Sequence, residues 1–256
     1  MKSFRQQQKR PKKSSLITGK NPVLEALKNG EAIDRIYVLQ QLHGDQLEEI
    51  RRLAVNNQVP VLKVPVEKLN SFNIPDHGGY VAIRSKVKYH DLQDIISWIT
   101  ERGEAPLLLI LDGITDIRNI GGIARTALCC GVHAIVIPEK GVGALNEDAI
   151  LTSAGALEQI PVCRVSSLMK AVDDLHLNGI KVYASEMTAE QTIDATDFTE
   201  PSAIVMGSEE KGIYPALMKI CDQKIKIPMK GGFESLNVSV ATGMILYEAM
   251  KQRLSS

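Results

Sequence analysis

From Leu107 to Arg253 the sequence alternates short, wholly apolar runs with longer amphipathic ones, and this alternation constrains the fold most tightly. Leu107–Leu111 is a continuous apolar run that closes on Asp112. A run of that kind suits a central parallel strand covered on both faces. Asn119–Cys130 follows as a helix, Ala134–Ile137 as a strand, Asn146–Thr152 as a helix and Ile160–Val165 as a strand. Next come a helix over Ser167–Leu177 and strands at Lys181–Ala184 and Ala203–Met206. A short helix at Tyr214–Ile220, a strand at Lys224–Ile227 and a closing helix over Leu236–Arg253 complete the series. Such alternation predicts an α/β fold, with a mostly parallel sheet and helices on both faces.

A smaller α/β module precedes it. Asn21 and Pro22 read as N-cap and N1 of a helix that Gly30 stops. Arg35–Leu39 is β-rich, and Asp45–Val55 has Leu47, Ile50 and Leu53 at helical spacing. Val59–Val64, Val66–Phe72 and Gly79–Arg84 read as strand, helix and strand. Residues 86–90 show no apolar period and read as a linker, after which Asp91–Glu101 resumes as a helix. The expected domains are a basic arm over 1–13, the small module over 14–85, and the large α/β domain over 91–256.

The formal charge of zero hides an asymmetry. Residues 1–90 carry 16 basic and 8 acidic side chains, a balance of +8. Residues 91–256 carry the remaining 14 basic and 22 acidic ones, a balance of −8. Six of the cations, from Lys2 to Lys13, stand in the first thirteen residues without an acid among them. Such an arm can neutralise phosphates and gain affinity from counterion release. Cys129, Cys130, Cys163 and Cys221 form no C-x-x-C pair. That argues against zinc and a disulfide framework and fits reduced thiols in the cytoplasm. The longest apolar run is too short to span a bilayer, and the polar start does not read as a secretory signal.

Three polar, glycine-containing segments each follow a predicted strand, where ligands of parallel sheets collect. The first runs from Asp112 to Thr126 and contains Asn119, Gly121, Gly122 and Arg125. It lacks G-x-G-x-x-G, which argues against a nicotinamide-dependent dehydrogenase. Arg125 stands in a small, apolar stretch, where a charge needs a partner or a cleft. The second runs from Gly207 through Ser208 and Glu209 to Gly212. The third runs from Ile227 through Met229, Ser235, Leu236, Asn237 and Val238 to Ser239. Ser239, Ala241 and Gly243 keep its helix slim.

In this order the segments resemble the SPOUT superfamily of RNA methyltransferases, and within it the TrmH-like ribose 2′-O-methyltransferases. N-x-G-x-x-x-R stands at Asn119–Arg125, G-S-E at Gly207–Glu209, and I-P-M…S-L-N-V-S at Ile227–Ser239. The resemblance covers residues 107–256. Glu210 departs from it, standing where the family often has Gly. The preceding module resembles the L30e/L7Ae-type domain of the bacterial 23S rRNA guanosine-2′-O-methyltransferase subgroup.

The resemblance implies a deep trefoil knot, a homodimer and bound S-adenosylmethionine. By motif position Gly207, Ile227, Leu236, Met229 and Val238 would hold the cofactor. Arg125, Asn119, Glu209, Ser235 and Asn237 would line the reaction site. The substrate would be structured RNA, with 23S rRNA guanosine ahead of tRNA. No metal or membrane is expected. The closing helix, through Val240, Met244, Ile245 and Ala249, is a candidate for the dimer contact. A base methyltransferase of the same superfamily and a non-catalytic RNA-binding protein are the alternatives.

Overall fold

Successive side chains of a strand point to opposite faces, so a sheet buried on both sides needs two separate layers of helices. Both sheets of this chain are built that way. The computed structural model describes residues 15–143, 145–231 and 235–255. The basic arm over 1–13 lies outside the described residues. The chain divides between Ser85 and Lys86 into two compact units.

The first unit comprises strand β1 (Leu16–Thr18), helix α1 (Lys20–Lys28), β2 (Ile33–Leu39), α2 (Asp45–Asn56), β3 (Val61–Val64), α3 (Val66–Asn70) and β4 (Tyr80–Arg84). Its strand order is β1-β4-β2-β3, with β2 and β3 parallel and the other pairs antiparallel. Val23, Leu24 and Leu27 of α1 and Leu47, Ile50 and Ala54 of α2 bury against Ile36, Val38 and Ala82 on one face. Leu69 of α3 and Phe72 bury against Val81 and Ile83 on the other. Gly19, not Asn21, is the N-cap of α1, which places Pro22 inside the first turn, where its missing N–H costs no bond.

In the second unit, β5 (Tyr89–His90) and α4 (Leu92–Glu101) lead into β6 (Leu107–Asp112), α5 (Ile117–Cys129), β7 (Ala134–Pro138), α6 (Glu147–Thr152), β8 (Val162–Val165) and α7 (Leu168–Leu177). Then follow β9 (Lys181–Ser185), β10 (Gln191–Thr192), β11 (Ser202–Gly207), α8 (Pro215–Ile220), β12 (Gln223–Lys226) and α9 (Val238–Leu254). The sheet order is β10-β12-β9-β11-β6-β7-β8-β5, and every adjacent pair is parallel. Leu107, Leu109 and Leu111 pack with α5, α6 and α9. Leu108 and Ile110 pack with α4, α7 and α8.

The stretch 86–90, expected as a linker, belongs to this sheet. Tyr89 and His90 pair with Val162 and Cys163, and Val87 is buried. The Arg164 guanidinium stacks 3.3 Å from the Tyr89 ring centroid, which seats this two-residue edge strand. The sequence shows no period there because two residues are too few to display one. Ile245 and Ala249, candidates for a dimer contact, are fully buried core residues. Val240, Met244, Tyr247 and Leu254 of α9 are exposed.

The chain leaves β6 toward β7 on one side and leaves β11 toward α8 and β12 on the other. β6 and β11 are neighbours, with Asp112 opposite Gly207. Their carboxyl ends form a topological switch point, where such sheets open a crevice.

Candidate active site

Three loops meet at that crevice. The first opens α5. Asp116 caps it, its carboxylate accepting from the Arg118 backbone N–H at 2.9 Å, so the helix starts two residues before Asn119. Gly121 lets α5 approach α6: a Cβ there would lie 2.4 Å from Thr152 Oγ1 and 2.8 Å from its backbone carbon. The glycine of N-x-G thus answers to helix packing.

The second loop follows β11. Ser208 and Gly212 exchange backbone hydrogen bonds, N to O at 3.2 Å and O to N at 2.8 Å. The turn folds back over Gly207, whose missing Cβ would lie 2.2 Å from the Gly212 carbonyl carbon. Asp112 Oδ2 accepts from Tyr214 N at 2.6 Å and anchors the loop's exit. Glu209 is thereby held between two fixed points.

The third loop leads into α9. Asn237 is the N-cap, its side-chain oxygen accepting from Ser239 N at 3.0 Å and Val240 N at 3.4 Å. Ser235 and Leu236 therefore precede the helix, which was expected to include Leu236. The Asn237 amide donates to Asn119 Oδ1 at 3.0 Å and also to Glu209 Oε1. Glu209 Oε1 accepts further from Asn119 Nδ2 at 3.0 Å and Val238 N at 3.2 Å. One carboxylate oxygen thus ties the three loops together. Glu209 Oε2 makes no hydrogen bond among the described residues.

Beside this knot of bonds lies a pocket. Gly207, Ile227, Met229, Leu236 and Val238 all line it, as do Glu209 and Ser235. Asn119 and Asn237 reach it through Glu209. Arg125 does not: it is exposed, lines no part of the pocket and makes no hydrogen bond or ion pair among the described residues. Six residues of helix turn it by about 240° from Asn119, away from the crevice. Motif reading missed Ser185, Glu186 and Met187, which enter the pocket from the end of β9. No spacing pattern links them to the three segments. Among the described residues no group of three or more His, Cys, Asp or Glu could hold a metal ion. No helix there is long and apolar enough to cross a membrane.

An apolar cleft with glycine backbone on one wall, at the switch point of a parallel sheet, defines an α/β enzyme that binds a nucleoside-type cofactor. Residues 106–247 match the SpoU rRNA Methylase family. Residues 16–90 match the family of RNA 2′-O ribose methyltransferase substrate-binding domains. YacO of Bacillus subtilis, named for the TrmH family of tRNA/rRNA methyltransferases, is 35% identical over 237 residues, 93% of this chain and 95% of its own. The SpoU methyltransferase AviRb of Streptomyces viridochromogenes, crystallised with AdoMet, superposes with a TM-score of 0.60 at 26% identity, over 94% of this chain and 91% of its own. A TrmH/SpoU tRNA modifying enzyme of A. aeolicus covers 64% of this chain and 85% of its own, at 29% identity and a TM-score of 0.54. The chain belongs to the SpoU/TrmH family of RNA 2′-O-ribose methyltransferases, enzymes that use S-adenosylmethionine.

The pocket fits that cofactor. Ile227, Leu236, Val238 and Ala241 offer apolar walls for a purine. Glu186, Glu209 and Lys226 line it as well, two carboxylates to one ammonium in a site for a cation.

Proposed function

We propose that this enzyme methylates the 2′-hydroxyl of a guanosine in 23S rRNA, with the first unit capturing the RNA. The observation that carries the chemistry is the convergence of Asn119, Glu209 and Asn237 beside the pocket. The two-unit layout supports the rRNA reading, and a tRNA ribose is the alternative outcome.

S-adenosylmethionine, when bound, supplies an electrophilic methyl group on a sulfonium. The protein must align the ribose hydroxyl and help remove its proton. Asn119 and Asn237 fix Glu209 through Oε1, and the unengaged Oε2 receives that proton. Ser235, exposed at the pocket rim, orients the ribose. Gly207, Ile227, Met229, Leu236 and Val238 hold the cofactor. The Arg125 guanidinium is suited to grip an RNA phosphate bidentately.

Arg125 performs this role in the site of a second copy. Gly122 lies against Ser239 and Thr126 against Gly243, so α5 and α9 run side by side in the same direction. Exposed Arg125 of α5 and exposed Val240, Met244 and Tyr247 of α9 thus stand on neighbouring helices. This joint face is our candidate for a homodimer interface that completes each site.

The same reading includes the trefoil knot. The chain passes from β11 across β9 to β12, and Ile227, Met229, Leu236 and Val238 return to the pocket already lined by Gly207, Ser208, Glu209 and Gly212. It also takes the first unit as an L30e/L7Ae-type module, on the strength of its three layers and family match. The reduced thiols fit a cytoplasmic enzyme.

Labelled methyl transfer to unmodified 23S rRNA and tRNA transcripts tests the proposal. Methylation blocks alkaline cleavage at the modified link, so an alkaline ladder reads the position. A gap at a guanosine of 23S rRNA supports it, a gap only in tRNA redirects the substrate, and labelled bases with an unbroken ladder refute ribose chemistry.

A further inference from the structure

Two opposite charges stand side by side in the pocket without pairing. Ser185 of β9 lies opposite Ile225 of β12, and Glu186 N donates to Ile225 O at 2.9 Å. Glu186 and Lys226 each follow that pair by one residue, at neighbouring strand ends, and both line the pocket. Neighbouring strands lie about 4.8 Å apart, so two long side chains placed there are within reach of each other. They nevertheless form no ion pair, and the Lys226 side chain makes no hydrogen bond or ion pair among the described residues.

Both residues are half-buried and held in place. Lys226 pairs with Thr192 of β10 on its other side, which fixes its backbone. Glu186 Oε1 accepts from Thr188 N and from Thr188 Oγ1, both at 3.3 Å. Glu186 Oε2 makes no hydrogen bond among the described residues. A half-buried charge that has given up water without gaining a partner favours a ligand of opposite sign. Groups fixed beforehand lose little freedom when that ligand binds.

The cofactor carries a matching pair, an α-carboxylate and an α-ammonium on one carbon of its amino-acid end. We infer that Lys226 and Glu186 form a clip for that end, Lys226 binding the α-carboxylate and Glu186 Oε2 the α-ammonium. Lys211 and Lys230 stand on loops of the same site but do not line the pocket. Glu209 lines it from the β11 loop, where Asn119 and Asn237 hold it for the reaction. The inference rests on S-adenosylmethionine being the cofactor, and not on which RNA is methylated.

Calorimetry without RNA tests it. The ligands are S-adenosylhomocysteine, its decarboxylated analogue, and 5′-methylthioadenosine, which lacks both charged groups. Glu186, Glu209 and Lys226 give the pocket a net −1, so its overall field favours the analogue that has lost its carboxylate. Tighter binding of the intact ligand therefore reports a local cation. Expected in wild type is a loss of about tenfold or more on removing the carboxylate, and a further loss of similar size on removing the ammonium. In Lys226→Met the first loss shrinks to within about twofold and the second persists. In Glu186→Gln the second shrinks and the first persists. Lys226→Arg keeps the preference for the carboxylate. Affinity for 5′-methylthioadenosine stays within about twofold of wild type in all three variants, which shows the pocket intact. Wild-type enzyme that binds the intact and decarboxylated ligands alike overturns the inference without any variant. So does Lys226→Met that still prefers the carboxylate. Lys226→Met with unchanged affinity for all three ligands and a raised RNA KM assigns the ammonium to an RNA phosphate instead, and overturns it too.

Discussion

Asn119 and Asn237, 118 residues apart in sequence, are hydrogen-bonded to each other at 3.0 Å and both donate to one oxygen of Glu209. Each asparagine uses both ends of its amide. Asn237 caps α9 with its oxygen and serves the site with its nitrogen. Substitution by Asp separates these roles. Asn237→Asp keeps the cap acceptor but sets a second carboxylate against Glu209. Its thermal midpoint is expected within a few degrees of wild type, while methyl transfer falls by at least tenfold. Asn237→Ala loses the cap as well, at about 1 kcal/mol. Thermal melts and turnover on the same preparations check both, and full activity in Asn237→Asp contradicts the bonding scheme.

Glu209→Gln asks which carboxylate oxygen matters. The amide oxygen can accept the same three hydrogen bonds, whereas the NH2 group in place of Oε2 cannot take a proton. If Oε2 receives the ribose proton, kcat falls by about 10²–10⁴. Cofactor affinity stays near wild type in calorimetry. Near-normal turnover assigns Glu209 to scaffolding alone.

The motifs were legible because their residues are polar groups at strand ends in an otherwise apolar frame. Why those residues were needed was less so. Gly121 reads as a motif position near the start of a helix, but Thr152 of a later helix sets its size. Arg125 lies outside the pocket of its own chain, which motif order alone does not reveal, since six residues along a helix turn it about 240° from Asn119. Strands β1, β5 and β10 have two or three residues each, and only their partners define them. Glu186 reaches the pocket through sheet order, which spacing does not encode.

The two glycines of α5 are expected to differ. A Cβ at Gly121 would overlap Thr152, including its backbone, while one at Gly122 meets Ser239 Cβ at a tight but approachable 3.4 Å. Gly121→Ala is expected to destabilise the second unit by about 1–3 kcal/mol through overpacking. Gly122→Ala costs less, since only a side chain must give way. Denaturant unfolding of the two variants checks the order, and equal midpoints reject it.

The thiols provide a probe of the fold that depends on pH. Burial, with Asp91 nearby, pushes the Cys163 thiol up to about 12. Burial, with Asp222 nearby, raises Cys221 to about 11. A raised pKa means less thiolate at a given pH, so at pH 8 Cys163 is ionised to about one part in ten thousand. Cys129 is exposed. Alkylation at pH 8 followed by peptide mass mapping is expected to label Cys129 first, and Cys163 only after unfolding. Early labelling of Cys163 in native protein contradicts its burial.

The charge asymmetry leads to the last prediction. Residues 1–90 carry +8 and the remainder −8, so the attraction of this chain for RNA is concentrated where the catalytic loops are not. The second unit has its own two-sided core and its own pocket, so it is expected to fold without the first. Deleting residues 1–85 removes 14 basic and 8 acidic side chains, a net loss of +6. RNA affinity at moderate salt is then expected to fall by at least tenfold, with a shallower salt dependence because fewer counterions are released. Cofactor affinity stays within about twofold, since every lining residue lies beyond Ser185 or at it. Filter binding and calorimetry read the two quantities on one preparation. RNA affinity that survives the deletion would place capture in the acidic unit and reverse the division of labour that the charge suggests.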